Sequence, residues 1–159
     1  AQHLFEVSRR SQMSVSIVQP FNVYGPFQRA EFVVPIFCQV AITGENIVVF
    51  GDGEQTRCFT YIDDAIQGFM AAFEYESPYE IFNIGSDKET SINMLAEITQ
   101  KAVPGCHSRI IHREYGKDGV RLQSLEIRRR VPSVEKQRRL LGFEAKTDLI
   151  TGIRNVIQS

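Results

Sequence analysis

Three cysteines, three histidines and no long apolar run exclude several kinds of chemistry at the outset. Cys38, Cys58 and Cys106 are odd in number, widely spaced and free of any Cys-x-x-Cys pair. Neither a disulfide framework nor a thiol-redox motif is encoded, and a reducing, cytoplasmic setting fits best. His3, His107 and His112 have no ligand spacing with one another or with the cysteines, which argues against a metal site. A formal net charge of -1 supplies no basic field for nucleic acid and no acidic tail. No stretch approaches membrane-spanning length and none resembles a signal peptide, so no membrane partner is expected. No set of glycines fits Gly-x-x-Gly-x-x-Gly or Gly-x-Gly-x-x-Gly, the turn with which a dinucleotide fold grips pyrophosphate.

What remains is an ordinary globular composition, with 159 residues, 43% of them hydrophobic, enough for one compact core. Periodicity predicts a helix over 1–10, a strand over 15–18 and a helix over 33–43, then strands over 47–50 and 58–62. A helix over 63–76 follows, with Asp63 and Asp64 as its N-caps, then a strand over 81–84 and a helix over 92–102 begun by Ser91. The apolar pair Ile110 and Ile111 and helices near 133–141 and 148–157 complete the order. Alternation of this kind indicates α/β. Cys38 on an apolar helix face and Cys58 in a strand read as small core residues. Arg128, Arg129 and Arg130, with Arg138 and Arg139, read as a solvated basic surface beside a helix. The stretch 104–124, glycine-containing and charged, reads as a variable loop over the substrate.

Two segments carry the most information. PFNVYGP, residues 20–26, follows the first strand, and the ends of strands are where α/β proteins bind ligands. It offers the amide of Asn22, the rings of Phe21 and Tyr24, and a Gly25-Pro26 turn. An Asn side chain both donates and accepts, which suits a ligand rich in oxygens. A capped turn with both rings buried is the plainer reading, and residue chemistry weighs the two about evenly. In GDGEQTRCFTYIDDA, residues 51–65, a strand meets the turn Gly51-Asp52-Gly53 and returns, bringing Arg57 out as a planar bidentate donor that matches phosphate. The plainer fate of Arg57 is an exposed loop-edge arginine.

Together these segments resemble the extended short-chain dehydrogenase/reductase superfamily, in its NAD-dependent nucleotide-sugar epimerase, dehydratase and decarboxylase branch. PFNVYGP resembles the loop after the sixth parallel strand, and GENIVVFGDGEQTRCFTYIDDA resembles the nucleotide-cradling segment. FNIGSDKETSINMLAEI and RRVPSVEKQRRLLGFEAKTDLITGI resemble the next strand and helix and the C-terminal signature, so four matches run in order over nearly the whole chain.

The resemblance implies an α/β fold comprising the C-terminal part of a Rossmann-type parallel sheet, about residues 1–30, and a small α/β nucleotide-sugar-binding region, about 31–159. Pro20 and Phe21 would lie against the nicotinamide end of NAD or NADP. Asn22 would bond the diphosphate or sugar, Val48 and Phe50 would line the base, and Arg57 would clamp the pyrophosphate. Arg130 would reach the nucleotide from the C-terminal side, with Arg128 and Arg129 as adjacent competitors. A UDP-sugar is the implied partner, and the first helix resembles one that builds the family's dimer interface.

Departures from the family pattern are specific. Gln19 and Phe27 stand where relatives commonly carry Arg, Glu126 where Asp is usual, and Ser124 where several epimerases have a substrate-binding Arg. Family catalysis resembles proton abstraction by a Tyr with Lys four residues on, because a phenol with pKa about 10 is a poor base at neutral pH. None of the five tyrosines here has Lys at that position. The chain therefore reads as the C-terminal half of a longer enzyme, beginning within a helix just past the catalytic pair, and inactive alone. The alternative is a non-catalytic sugar-nucleotide-binding or scaffold protein of the same fold. Without flanking strands, the strand at 15–18 would expose an unpaired edge, and self-association is expected.

Overall fold

The structure, a computed structural model, describes residues 2–11, 13–116 and 126–159. Helix α1 (Gln2–Ser11) leads into strand β1 (Val15–Pro20), and the single hydroxyl proton of buried Ser8 has two carbonyl acceptors in reach, Met13 at 2.9 Å and Pro78. Strand β2 (Val23–Tyr24), helix α2 (Val33–Thr43) and strand β3 (Ile47–Phe50) follow, and Gly44 ends α2 in the left-handed conformation that glycine adopts without steric cost. Strands β4 (Thr56–Cys58) and β5 (Thr60–Tyr61) precede helix α3 (Ile62–Glu74). Strands β6 (Tyr79–Ile84) and β7 (Glu89–Ser91) precede helix α4 (Ile92–Ala102), with Ser91 capping α4 by accepting from the Met94 N–H at 3.1 Å. Strands β8 (Ile110–Arg113) and β9 (Arg129–Arg130) and helices α5 (Glu135–Leu141) and α6 (Leu149–Gln158) complete the chain.

Most strand pairing is parallel, as the helix–strand alternation requires. Among the described residues strand β1 pairs with β6, β2 with β5, β3 with β8 and β4 with β9, all parallel, and only β4 with β7 is antiparallel. The register places Arg57 of β4 directly beside Arg130 of β9. Two apolar clusters result. The larger gathers α2, β3, α4 and α6 around Tyr24, Phe59 and Tyr61; the smaller packs Phe82, Ile84, Ala72 and Phe143 beside β1. Cys38 and Cys58 are both buried, and burial pushes their thiols up to about 11, consistent with core packing rather than reactivity.

Four expectations from the sequence need correction. Residues 58–62 are not one strand, because the chain leaves the β7-β4-β9 sheet after Cys58 and joins β2 at Thr60. Nor do β3 and β4 form a strand-and-return pair, since β3 belongs to a separate sheet with β8. Asp63 and Asp64 do not cap α3, whose N-cap is Tyr61 with no side-chain cap. Asp64 is buried and accepts from the Thr147 N–H at 2.8 Å, fastening α3 to the segment before α6. Part of the expected loop 104–124 is strand β8, and residues 117–124, including Ser124, lie outside the described residues.

Candidate functional site

Where β1 and β6 end, the chain turns sharply at Asn22, whose φ of 37° is left-handed, a conformation Asn tolerates better than most residues. That turn aims its carboxamide across the sheet. Nδ2 donates to the Cys58 carbonyl at 2.8 Å, and Oδ1 accepts from Arg130 Nη2 at 2.9 Å, so Asn22 bridges β4 and β9 rather than capping its own turn. Tyr24 follows the plainer reading: it is buried edge-on against Phe59 and Tyr61, and burial raises its phenol above the ordinary value. Phe21 is fixed through its backbone, the N–H donating to the Ile84 carbonyl at 3.1 Å and the carbonyl accepting from Thr60 Oγ1 at 3.0 Å.

Strand β3 alternates as a half-buried strand must. Ile47 and Val49 are fully buried, while Val48 and Phe50 turn to the other side. After β3, Gly51 and Gly53 both hold φ at 72°, and a Cβ on Gly53 would meet Asn93 Oδ1 at 2.0 Å. This turn needs glycine at both places. It delivers Arg57 to β4, where Nη1 donates to the Thr56 carbonyl at 2.7 Å and Nη2 pairs with Glu126.

One cleft of about 580 Å³ joins these parts. Its lining brings together Pro20, Asn22, Val48, Phe50, Arg57 and Arg130, every residue singled out from the sequence except Phe21. The volume falls within the usual range for a small-molecule site. Among the described residues the only charged groups lining it are Arg57, Arg130 and Glu126, two guanidinium groups against one carboxylate. The first turn of α2, at Val33 and Val34, also borders the cleft. Its N-cap residue, Phe32, makes no side-chain cap bond, and the N–H groups of Val33 and Val34 favour negative charge.

The three consecutive arginines have separate fates. Arg128 Nη1 meets both Asp52 oxygens at 2.8 Å and holds that carboxyl below its usual range, while Arg129 forks onto Glu89 at 2.9–3.1 Å. Arg130 alone of the three faces the cleft, and among the described residues it meets the amide oxygen of Asn22 and no carboxylate. Arg138, part of the basic surface expected from the sequence, is paired with Asp87 and Glu144.

Sequence reasoning missed two lining carboxamides. Gln55 is buried, its Nε2 3.3 Å from the Phe50 carbonyl and from Tyr115 Oη; Gln28 Nε2 donates to the Val23 carbonyl at 2.9 Å. Neither belongs to a periodic pattern, and only the three-dimensional closure of the cleft singles them out.

Parallel strands alternating with helices, and a cleft at the strand ends carrying two guanidinium groups and an uncapped helix start, define an α/β protein with a site suited to an oxygen-rich anion. Comparison with known proteins agrees. A family model described as the NAD dependent epimerase/dehydratase family matches residues 1–85. UDP-N-acetyl-alpha-D-glucosaminuronate decarboxylase of Bacillus cytotoxicus is 36% identical over 154 residues, spanning 92% of this chain and 46% of that protein. UDP-glucuronate 4-epimerase of Thermodesulfobacterium geofontis is 29% identical over 146 residues, 91% of this chain and 42% of that protein. Among solved structures, UDP-glucose 4-epimerase of Thermotoga maritima with UDP-glucose superposes with TM-score 0.86 at 26% identity, covering 99% of this chain and 49% of that one. UDP-glucuronic acid 4-epimerase from Bacillus cereus in complex with UDP-glucuronic acid and NAD gives 0.80 at 27%, over 99% and 49%. The chain belongs to the NAD dependent epimerase/dehydratase family, and it spans about half the length of the relatives it matches.

Proposed function

We propose that this chain is the nucleotide-sugar-binding portion of an NAD(P)-dependent sugar-nucleotide epimerase or dehydratase, with a UDP-sugar as its ligand. The observation that carries the reading is the convergence of Asn22, Arg57 and Arg130 on one cleft that Val48 and Phe50 also line. In this reading the base packs on Phe50 and Val48, the diphosphate lies between the two guanidinium groups and the α2 N-terminus, and Asn22 bonds a phosphate or sugar oxygen. Relatives whose solved structures hold UDP-glucose or UDP-glucuronic acid support the ligand class.

The cofactor half of the reaction rests on fewer residues. Pro20 borders the cleft, and Phe21 is pinned through its backbone to β6 and Thr60, which suits one wall of a nicotinamide site. When bound, NAD or NADP would supply hydride transfer at a sugar carbon. The residues of this chain contribute orientation and electrostatics to that step. We assign about 1–30 to a Rossmann-type portion and about 31–159 to the nucleotide-sugar-binding region. None of the described helices is long and apolar enough to cross a membrane.

Self-association completes the reading. Among the described residues β1 is hydrogen-bonded on one edge only, to β6, and helix α3, packed on β1, turns Ile66, Phe69, Met70 and Phe73 outward, Phe73 being 83% exposed. A bare strand edge beside an apolar stripe favours pairing with another chain. Calorimetric titration with UDP and UDP-sugars tests the binding: saturable uptake that Arg57→Ala weakens is expected, and no uptake by the folded chain would refute it. The 159-residue chain alone is expected to show no turnover of UDP-sugars, and measurable epimerase or dehydratase activity would overturn that expectation.

A further inference from the structure

Arg57 and Arg130 are direct cross-strand partners in the β4–β9 register, so two cationic side chains stand side by side at the cleft. Like charges placed opposite one another on adjacent strands repel. Among the described residues the repulsion is relieved from one side only: Glu126 pairs with Arg57, the two side chains being 25% and 13% exposed, while Arg130 turns to the neutral oxygen of Asn22. The guanidinium fork that suits a diphosphate is therefore already engaged. One of its arms is on Glu126 and the other on the Thr56 carbonyl.

We propose that Glu126 is a specificity-determining residue of this cleft, a stand-in counter-ion that the ligand's phosphate displaces from Arg57. The inference deepens the nucleotide-sugar reading and rests on it. A ligand that brings no phosphate leaves the Arg57–Glu126 pair intact and gains nothing from Arg57. A diphosphate brings enough charge to serve both guanidinium groups at once, and Glu126 is released toward solvent or toward a hydroxyl donor on the ligand. Because the pair is half-buried, its loss opposes binding with a weight close to that of one charge-assisted contact. Glu126 thus lowers affinity for phosphate-bearing ligands relative to uridine, and it discriminates between UDP and UMP, because only a diphosphate can displace Glu126 from Arg57 with one phosphate and still serve Arg130 with the other.

The test compares the unmodified chain with Glu126→Gln, using UDP, UMP and uridine as probes in calorimetry at fixed salt. Glu126→Gln keeps the shape and removes the competing charge. It is expected to tighten UDP by about tenfold, one charge-assisted contact, and to leave uridine unchanged. Arg57→Ala is expected to cost more in the Glu126→Gln background than in the unmodified chain, because there no carboxylate competes with the phosphate for the arginine. UDP binding that is unchanged or weakened by Glu126→Gln would overturn the proposal, as would equal tightening of uridine. Should the variant fold poorly, the Glu126 side-chain carboxyl carbon of the unmodified chain, followed by NMR, is expected to shift on saturation with UDP and not with uridine. A carboxyl signal that ignores bound UDP would be equally fatal. Failure of the unmodified chain to bind UDP would instead remove the nucleotide-sugar reading, and this inference with it.

Discussion

Replacing each of the three consecutive arginines in turn separates the cleft from the surface around it. Arg130 is the arginine of the three that reaches the cleft, and its partner there is the uncharged Asn22 oxygen at 2.9 Å. A phosphate oxygen taking that place would form a charge-assisted bond, for which about 1.5–3 kcal/mol is typical. Arg130 is exposed, and screening by water pulls the value to the low end, about 1.5 kcal/mol or roughly tenfold in Kd. Arg128 and Arg129 are spent on Asp52 and Glu89 at the surface, so Arg128→Ala and Arg129→Ala should alter UDP affinity by less than about twofold. The assay is calorimetric titration of UDP into the unmodified chain and the three variants at one salt concentration, with circular dichroism to verify folding. Loss of affinity in Arg128→Ala or Arg129→Ala equal to that in Arg130→Ala would refute the assignment of Arg130 and return the basic run to a diffuse electrostatic role.

Three further outcomes follow from the same geometry. Gln137 is buried and its carboxamide makes two bonds to Gly85, accepting from its N–H at 3.0 Å and donating to its carbonyl at 2.8 Å. Gln137→Leu strands both backbone groups and should cost about 2–4 kcal/mol in urea unfolding, whereas a loss below about 1 kcal/mol would mean water replaces the amide. Asp148 caps α6 by accepting from the Thr151 N–H at 2.9 Å, and that bond lowers its carboxyl below the ordinary value. A depressed folded pKa contributes stability above the ordinary value of about 4 and loses it as pH falls through the lower folded value. Asp148→Ala should therefore cost about 1 kcal/mol at neutral pH, with the gap closing in acid, and a gap that widens in acid would contradict the assignment. Phe73→Asp should shift light scattering of the chain toward monomer without changing its circular dichroism, and a monodisperse monomer from the unmodified chain over a wide concentration range would contradict pairing through this face.

How much of this was legible in the sequence depends on how local the determining interaction is. Helix α4, with Ser91 before it and Leu95 and Thr99 on one face, and strand β3, a short apolar run that ends at the Gly51-Asp52-Gly53 turn, are set by short-range pattern and emerged correctly. The break at Phe59 did not, because residues 58 to 61 are all buried and show no alternation to mark a change of partner. Asp64 reads as a cap from its place before an apolar run, but a bond to Thr147, distant in sequence, outweighs that local preference. Within the site, Asn22, Val48, Phe50, Arg57 and Arg130 were identifiable from motifs, yet choosing among three consecutive arginines needed the β4–β9 register. Gln28, Gln55 and the start of α2 gave no sequence signal, since their role at the cleft comes only from what the fold places opposite them.

The most direct measurement is an amide NMR titration of the chain with UDP. The account predicts saturable shifts confined to residues 20–24, the first turn of α2, β3, β4, Glu126 and Arg130. Saturable shifts that cluster elsewhere, or none at millimolar UDP with the chain folded, would contradict it.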